Sequence, residues 1–217
     1  MSVILNKEIT APIVDWFASN IKSIKEDPES YGARKIRSHL GDPLMLENLH
    51  EPSNTQIHDK NFPMESLKRV EVELKELFNI PKDAAYAKMG ALIAYSEKGY
   101  LCRLHKDSAV DDEHCHARLN VLISKPSIGG DPIIVKSRMD GKPLNCRYPI
   151  ITSVRENEPW ICVASEFEHS TTIQGGDIPR IMISIGYDVP RGVLEDNGHL
   201  PLLNPFNKNP NGYNDQL

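Results

Sequence analysis

The chain has 217 residues, 40% hydrophobic and 25% charged, with a formal charge of -5 at neutral pH. That length suits one domain able to bury a sizeable core, and the balance is ordinary for a soluble globular protein. The acidic excess gives no hint of a surface for nucleic acid or an anionic membrane, and the apolar runs are too short to span a bilayer.

Met1–Glu8 lacks a cationic segment leading into a long apolar stretch, so no signal peptide is expected. Cys102, Cys115, Cys146 and Cys162 are dispersed without a C-x-x-C pair, which fits reduced thiols in a cytoplasmic protein.

Thr10 is the expected N-cap of a first helix, with Pro12 just inside it and Ile13, Trp16, Phe17, Ile21 and Ile24 at helical spacing. Pro28 ends that run. Residues 28–62 carry scattered Pro and Gly and predict loop with a short strand or two. His39, His50 and His58 fall there and are expected to be exposed loop histidines.

Leu67, Val70, Leu74, Leu77 and Phe78 make the apolar stripe of a second, amphipathic helix laid against a sheet, with Glu71 on a charged face expected to be solvated. Asn79 and Pro81 stop it. After Pro81 short strands take over. They are expected at 85–95, 100–105, 116–124, 132–135, 150–154, 160–164, 169–173 and 180–187. The 132–135 segment is expected to be the hairpin partner of 116–124 across the Pro/Gly turn Lys125–Gly130, and Met139–Pro143 forms a further turn.

Helices first and many short strands after give the fold class: mainly β with helical support (α+β), a double-stranded β-helix or jelly roll with N-terminal helices packed on one sheet. The expected organisation is one structural domain: support region 1–84, catalytic core 85–190, and an Asn/Pro-rich tail 191–217.

The chemistry concentrates in His105-Lys106-Asp107. An i, i+2 pair on extended backbone projects from one side, so His105 and Asp107 can reach one ion. His169 stands 64 residues on, and Arg180 eleven beyond that. Two imidazoles and a carboxylate occupy one face of a six-coordinate Fe(II) and leave positions open for a co-substrate and O2. On the last strand Arg180, Met182 and Ser184 take one face, and Ile181, Ile183 and Ile185 the other. A fixed guanidinium there suits the far carboxylate of a dicarboxylate.

The pattern His105-x-Asp107, a strand over Arg118–Ser124, the turn Gly129-Gly130-Asp131, then His169 and Arg180 resembles the Fe(II)/2-oxoglutarate-dependent oxygenases. The similarity is to their small prolyl-hydroxylase-like or aspartyl/asparaginyl-hydroxylase-like branch, and it runs from about Met89 to Val189. It implies His105, Asp107 and His169 as metal ligands and Arg180 as the clamp on the C5 carboxylate of 2-oxoglutarate. Tyr95 or Tyr100 is a candidate hydroxyl donor to the co-substrate, and Arg118 a candidate contact to substrate or co-substrate. Relatives often carry Ser or Thr two residues after the basic residue. Met182 holds that place here, and Ser184, two further on, is a candidate only.

The reaction so implied hydroxylates an aliphatic C–H of an amino acid, peptidyl side chain or small metabolite, with succinate and CO2 as co-products. Retention of Asp107 argues against halogenation.

His114-Cys115-His116 is the competing motif. A cupin would follow His-x-His closely with Glu, and Ala-Arg-Leu-Asn follows here. A cupin-like metalloenzyme not using 2-oxoglutarate and a non-catalytic jelly-roll module stay open as alternatives at this stage.

Overall fold

The computed structural model describes residues 3–36, 40–41, 43–49, 57–137, 147–151 and 153–196. Helix α1 spans Lys7–Glu26. Its cap is Asn6 and not Thr10, because the Asn6 side chain accepts from the Glu8 N–H while Thr10 is buried and donates to Asn157 Oδ1 at 2.8 Å. After a 3-10 turn at Glu29–Tyr31 come strands β1 (Ala33–Lys35) and β2 (Leu44–Leu49), then helix α2 (Met64–Leu77).

The remaining strands are β3 (Ala85–Ser96), β4 (His114–Ser124), β5 (Pro132–Ser137), β6 (Arg147–Ile151), β7 (Pro159–Val163), β8 (Glu168–Thr171) and β9 (Arg180–Pro190). They form two antiparallel sheets, ordered β1-β2-β3-β9-β4-β7 and β6-β5-β8. This is an α+β jelly roll with its N-terminal helices on the larger sheet.

Period-2 alternation divides that sheet cleanly. Ile93, Tyr95, Leu119, Val121, Ile183 and Ile185 join Ile13 and Phe17 of α1 and Leu67 and Leu74 of α2 in one buried core. The opposite face of the same strands turns Leu92, Ala94, Arg118, Asn120, Met182 and Ser184 toward the smaller sheet, most of them lining the cavity described below.

Three further local expectations are corrected. Strand β5 is not the hairpin partner of β4, since both edges of β4 are taken by β9 and β7, and β5 pairs with β6 and β8. The 125–131 turn instead carries the chain between sheets, tied by Lys125 Nζ to Asp131 Oδ1 at 2.9 Å.

Tyr100–His105 is not a regular strand. It touches Leu40 through Leu101 and His169 through His105, as isolated bridges. Between them side chains satisfy the backbone: Cys102 N–H donates to Thr171 Oγ1, and Ser170 Oγ donates to the Cys102 carbonyl.

Glu71, assigned from sequence to a solvated face, is 8% exposed. It accepts hydrogen bonds from the hydroxyls of Tyr86 and Tyr187, fastening α2 to the sheet. A short helix, α3 (Arg191–Asp196), begins the C-terminal segment. His39, His50, the Met139–Pro143 turn, Cys146 and the tail from residue 197 lie outside the described residues.

Candidate metal and anion site

His105, Asp107 and His169 are brought together at one end of the space between the sheets, each offering a ligand atom within 4.8 Å of the others. The mutual bridge between His105 and His169 fixes the approach, with His169 N–H donating to the His105 carbonyl at 2.7 Å and His105 N–H to His169 at 3.1 Å. Asp107 N–H is held by the Ala164 carbonyl at 2.9 Å.

The imidazole orientations follow from their outer nitrogens. His105 Nδ1 lies 2.8 Å from the Arg103 carbonyl and His169 Nδ1 3.1 Å from the Phe167 carbonyl. A carbonyl oxygen can only accept, so each Nδ1 carries a proton and each Nε2 is the nitrogen turned toward a ligand. The Asp107 carboxylate is shared. Oδ1 is 3.5 Å from His105 Nε2, while Oδ2 faces Arg118 Nε at 3.5 Å and His116 Nε2 at 3.9 Å.

Burial, then the neighbouring His105, pushes His169 below the usual imidazole range, which favours the ligating form. His105 is raised to about 9, first by the Cys102 side chain beside it. A bound cation would displace that proton. Burial, then Arg118, lowers His116 to about 4, so it faces Asp107 neutral.

At the other end stands Arg180, 1% exposed. Its Nε donates to the Gly130 carbonyl at 3.0 Å, its Nη2 contacts Met182 Sδ at 3.1 Å, and its carbon Cζ lies 5.9 Å from the Tyr100 ring centre. Nη1 is buried with no partner. No carboxylate forms an ion pair with it among the described residues. A buried cation without a counter-ion is costly, so the geometry favours an anionic guest.

A cavity of about 560 Å3 joins the two ends, lined by all three candidate ligands together with Tyr100, Arg118 and Arg180. Ser184 lies on its wall. Tyr95 does not reach it: its ring stacks on Phe17 at 5.5 Å and its hydroxyl donates to Glu97, on the helix side of the sheet. The period-2 alternation of β3 puts Leu92 and Ala94 on the cavity face and Tyr95 on the other, so its candidacy as a co-substrate contact is withdrawn. Arg118 is in the cavity, with its guanidinium engaged by Asp107 and by the Gly90 carbonyl at 3.3 Å.

The competing motif does not assemble. His114 Nδ1 is taken by Asp111 at 2.7 Å, and the metal-compatible group among the described residues is the His105–Asp107–His169 set alone. Cys102, Trp160 and Thr171 also line the cavity and were not singled out from sequence. Trp160 reaches it through register with Asn120, a nonlocal pairing that no local spacing announces.

Neither a protein-family model nor a curated protein sequence matches the chain. Solved structures do. A prolyl hydroxylase from Trichoplax adhaerens, in complex with a hypoxia inducible factor oxygen degradation domain peptide fragment, superposes with a TM-score of 0.55 at 8% identity, covering 89% of this chain and 83% of that one. The fold is that of the prolyl hydroxylases.

AviO1 from Streptomyces viridochromogenes Tue57 also superposes on this chain, with a TM-score of 0.53, 14% identity and 88% of each chain covered. A 2OG-Fe(II) oxygenase family oxidoreductase from Burkholderia pseudomallei is a further neighbour, with a TM-score of 0.47, 13% identity and coverage of 80% and 81%.

Proposed function

We propose that the chain is an Fe(II)- and 2-oxoglutarate-dependent dioxygenase that hydroxylates an aliphatic C–H of an amino acid, a peptidyl side chain or a small metabolite. One observation carries the reading: a buried guanidinium with an unpartnered nitrogen shares a cavity with two imidazoles and a carboxylate poised around a common point. A dicarboxylate co-substrate satisfies both ends at once.

His105 Nε2, Asp107 Oδ1 and His169 Nε2 would hold the iron. With 2-oxoglutarate and O2, iron supplies the oxidising chemistry, and the co-substrate leaves as succinate and CO2. Arg118 keeps Asp107 Oδ2 turned away from the ligand side. Arg180 would clamp the distal carboxylate of 2-oxoglutarate through a charge-assisted, forked pair, walled by Tyr100 and Met182 against water. The proposed setting is cytoplasmic, with no nucleic-acid partner.

Fe(II) and then 2-oxoglutarate, added under argon, should produce a weak visible charge-transfer band. In air, succinate release should accompany a product heavier by one oxygen. A cupin-like site or a non-catalytic module gives no band that depends on 2-oxoglutarate, and its absence would refute the reading.

A further inference from the structure

Two bulky polar side chains stand over Asp107 from a single strand. His116 and Arg118 are i, i+2 on β4, so both leave the same face, and each is 5% exposed. On the neighbouring strand β9 that face carries Arg180, Met182, Ser184 and then Gly186, the register partner of Arg118. Side-chain volume on β9 thus falls away at the row where β4 carries its bulk.

The β4 side chains use that space. A Cβ on Gly186 would stand 2.8 Å from His116 Nε2 and 3.2 Å from both Cζ and Nη1 of Arg118. Imidazole and guanidinium therefore lie against bare backbone. Gly186 is not among the glycines of positive φ, so a methyl group there is opposed by these two side chains and not by its own backbone.

From that seat both groups face one oxygen. Arg118 Nε is 3.5 Å and His116 Nε2 3.9 Å from Asp107 Oδ2, while Oδ1 is the oxygen beside His105 Nε2. His116 Nε2 is buried with no hydrogen-bond partner among the described residues, and the ring is tied instead to the Ser108 backbone. Packing over Gly186, and no bond to the carboxylate, sets the ring beside Oδ2.

We propose that Gly186 is a positioning residue for Asp107, the bare stretch of β9 that lets His116 and Arg118 close over Oδ2 and leave Oδ1 to the metal. Outer partners of this kind orient a ligating carboxylate and so set metal affinity. The inference rests on the reading of Asp107 as a ligand and adds the residue on which its orientation depends.

The test titrates Co(II), an air-stable stand-in for Fe(II) in a site of nitrogen and oxygen ligands, into metal-free protein by calorimetry. Gly186→Ala should bind Co(II) roughly tenfold more weakly than the wild type. Its 2-oxoglutarate titration at saturating Fe(II) under argon should move by less than about threefold, because Arg180 stands at the other end of β9. Gly192→Ala is the control, since a Cβ there meets nothing within 4 Å, and it should leave both titrations unchanged. In a His116→Ala background, where the nearest obstacle is gone, Gly186→Ala should cost less Co(II) affinity than it does alone.

Wild-type Co(II) affinity in Gly186→Ala, a loss matched by Gly192→Ala, equal losses of Co(II) and 2-oxoglutarate, or strictly additive costs with His116→Ala would each overturn the inference. Circular dichroism checks each fold. Should Gly186→Ala not fold, His116→Ala carries the test: it should itself weaken Co(II) about threefold or more, and unchanged affinity overturns the inference.

Failure of the parent reading looks different. A wild type that binds Co(II) but shows no visible band with Fe(II) and 2-oxoglutarate is not a 2-oxoglutarate enzyme, and the Co(II) comparison still decides the role of Gly186. A wild type that takes up no Co(II) removes Asp107 as a ligand and overturns both.

Discussion

Arg180 Nε donates to the Gly130 carbonyl at 3.0 Å, and a Cβ placed on Gly130 would stand 3.1 Å from Arg180 Cδ and 2.8 Å from Pro126 Cγ. The turn thus aims the guanidinium and leaves no room for a side chain at its own apex. Gly130 also has φ +71°, where other residues are strained.

Gly130→Ala should cost about 1–3 kcal/mol of stability and also weaken 2-oxoglutarate binding. Gly99→Ala is the control, since φ there is +89° but a Cβ meets nothing within 4 Å. It should lower the melting temperature and leave the 2-oxoglutarate titration unchanged. Equal loss of 2-oxoglutarate affinity in both would reduce the Gly130 effect to general strain.

Arg180→Met should weaken 2-oxoglutarate far more than Fe(II). Loss of a charge-assisted bidentate pair in a desolvated pocket costs about 2–5 kcal/mol, a weakening on the order of thirtyfold or more. Arg180→Lys should recover part of it, keeping the charge without the fork. Titration under argon, followed by the visible band, distinguishes the three proteins. Superimposable curves would remove Arg180 from the site.

Asp107→Ala should lower Fe(II) affinity by about a hundredfold or more and abolish succinate production, since it removes the anionic ligand. It also strips Arg118 of its carboxylate, so some loss of melting temperature should accompany it. His114→Ala, by contrast, should leave iron binding intact, because that ring is engaged by Asp111. Iron loss in His114→Ala with retention in Asp107→Ala would reverse the ligand assignment.

Glu71→Ala should destabilise the fold by about 3 kcal/mol, because two phenol hydroxyls lose a charged acceptor inside the α2–sheet contact. Iron and 2-oxoglutarate binding should persist below the lowered melting temperature. An unchanged melting curve would show that the Tyr86 and Tyr187 hydroxyls find other partners.

Much of the site was legible because its chemistry is periodic. His105 and Asp107 sit at i, i+2, and Arg180, Met182 and Ser184 alternate with three isoleucines, so one strand face declared itself polar without any partner being known. The two helices and the antiparallel class were legible for the same reason, since apolar spacing is a local property.

Pairing is not local. Lys125–Gly130 reads as a hairpin turn, yet β9 and β7 occupy both edges of β4 and send β5 to the other sheet. Tyr95 and Tyr100 look alike along the chain. Only the stacking of Phe17 on one and the nearness of Arg180 to the other separate them. Glu71 reads as a surface charge until Tyr86 and Tyr187 arrive from strands to hold it. Spacing sets the direction in which a side chain leaves the backbone, whereas what it meets depends on which distant segment folds against that face.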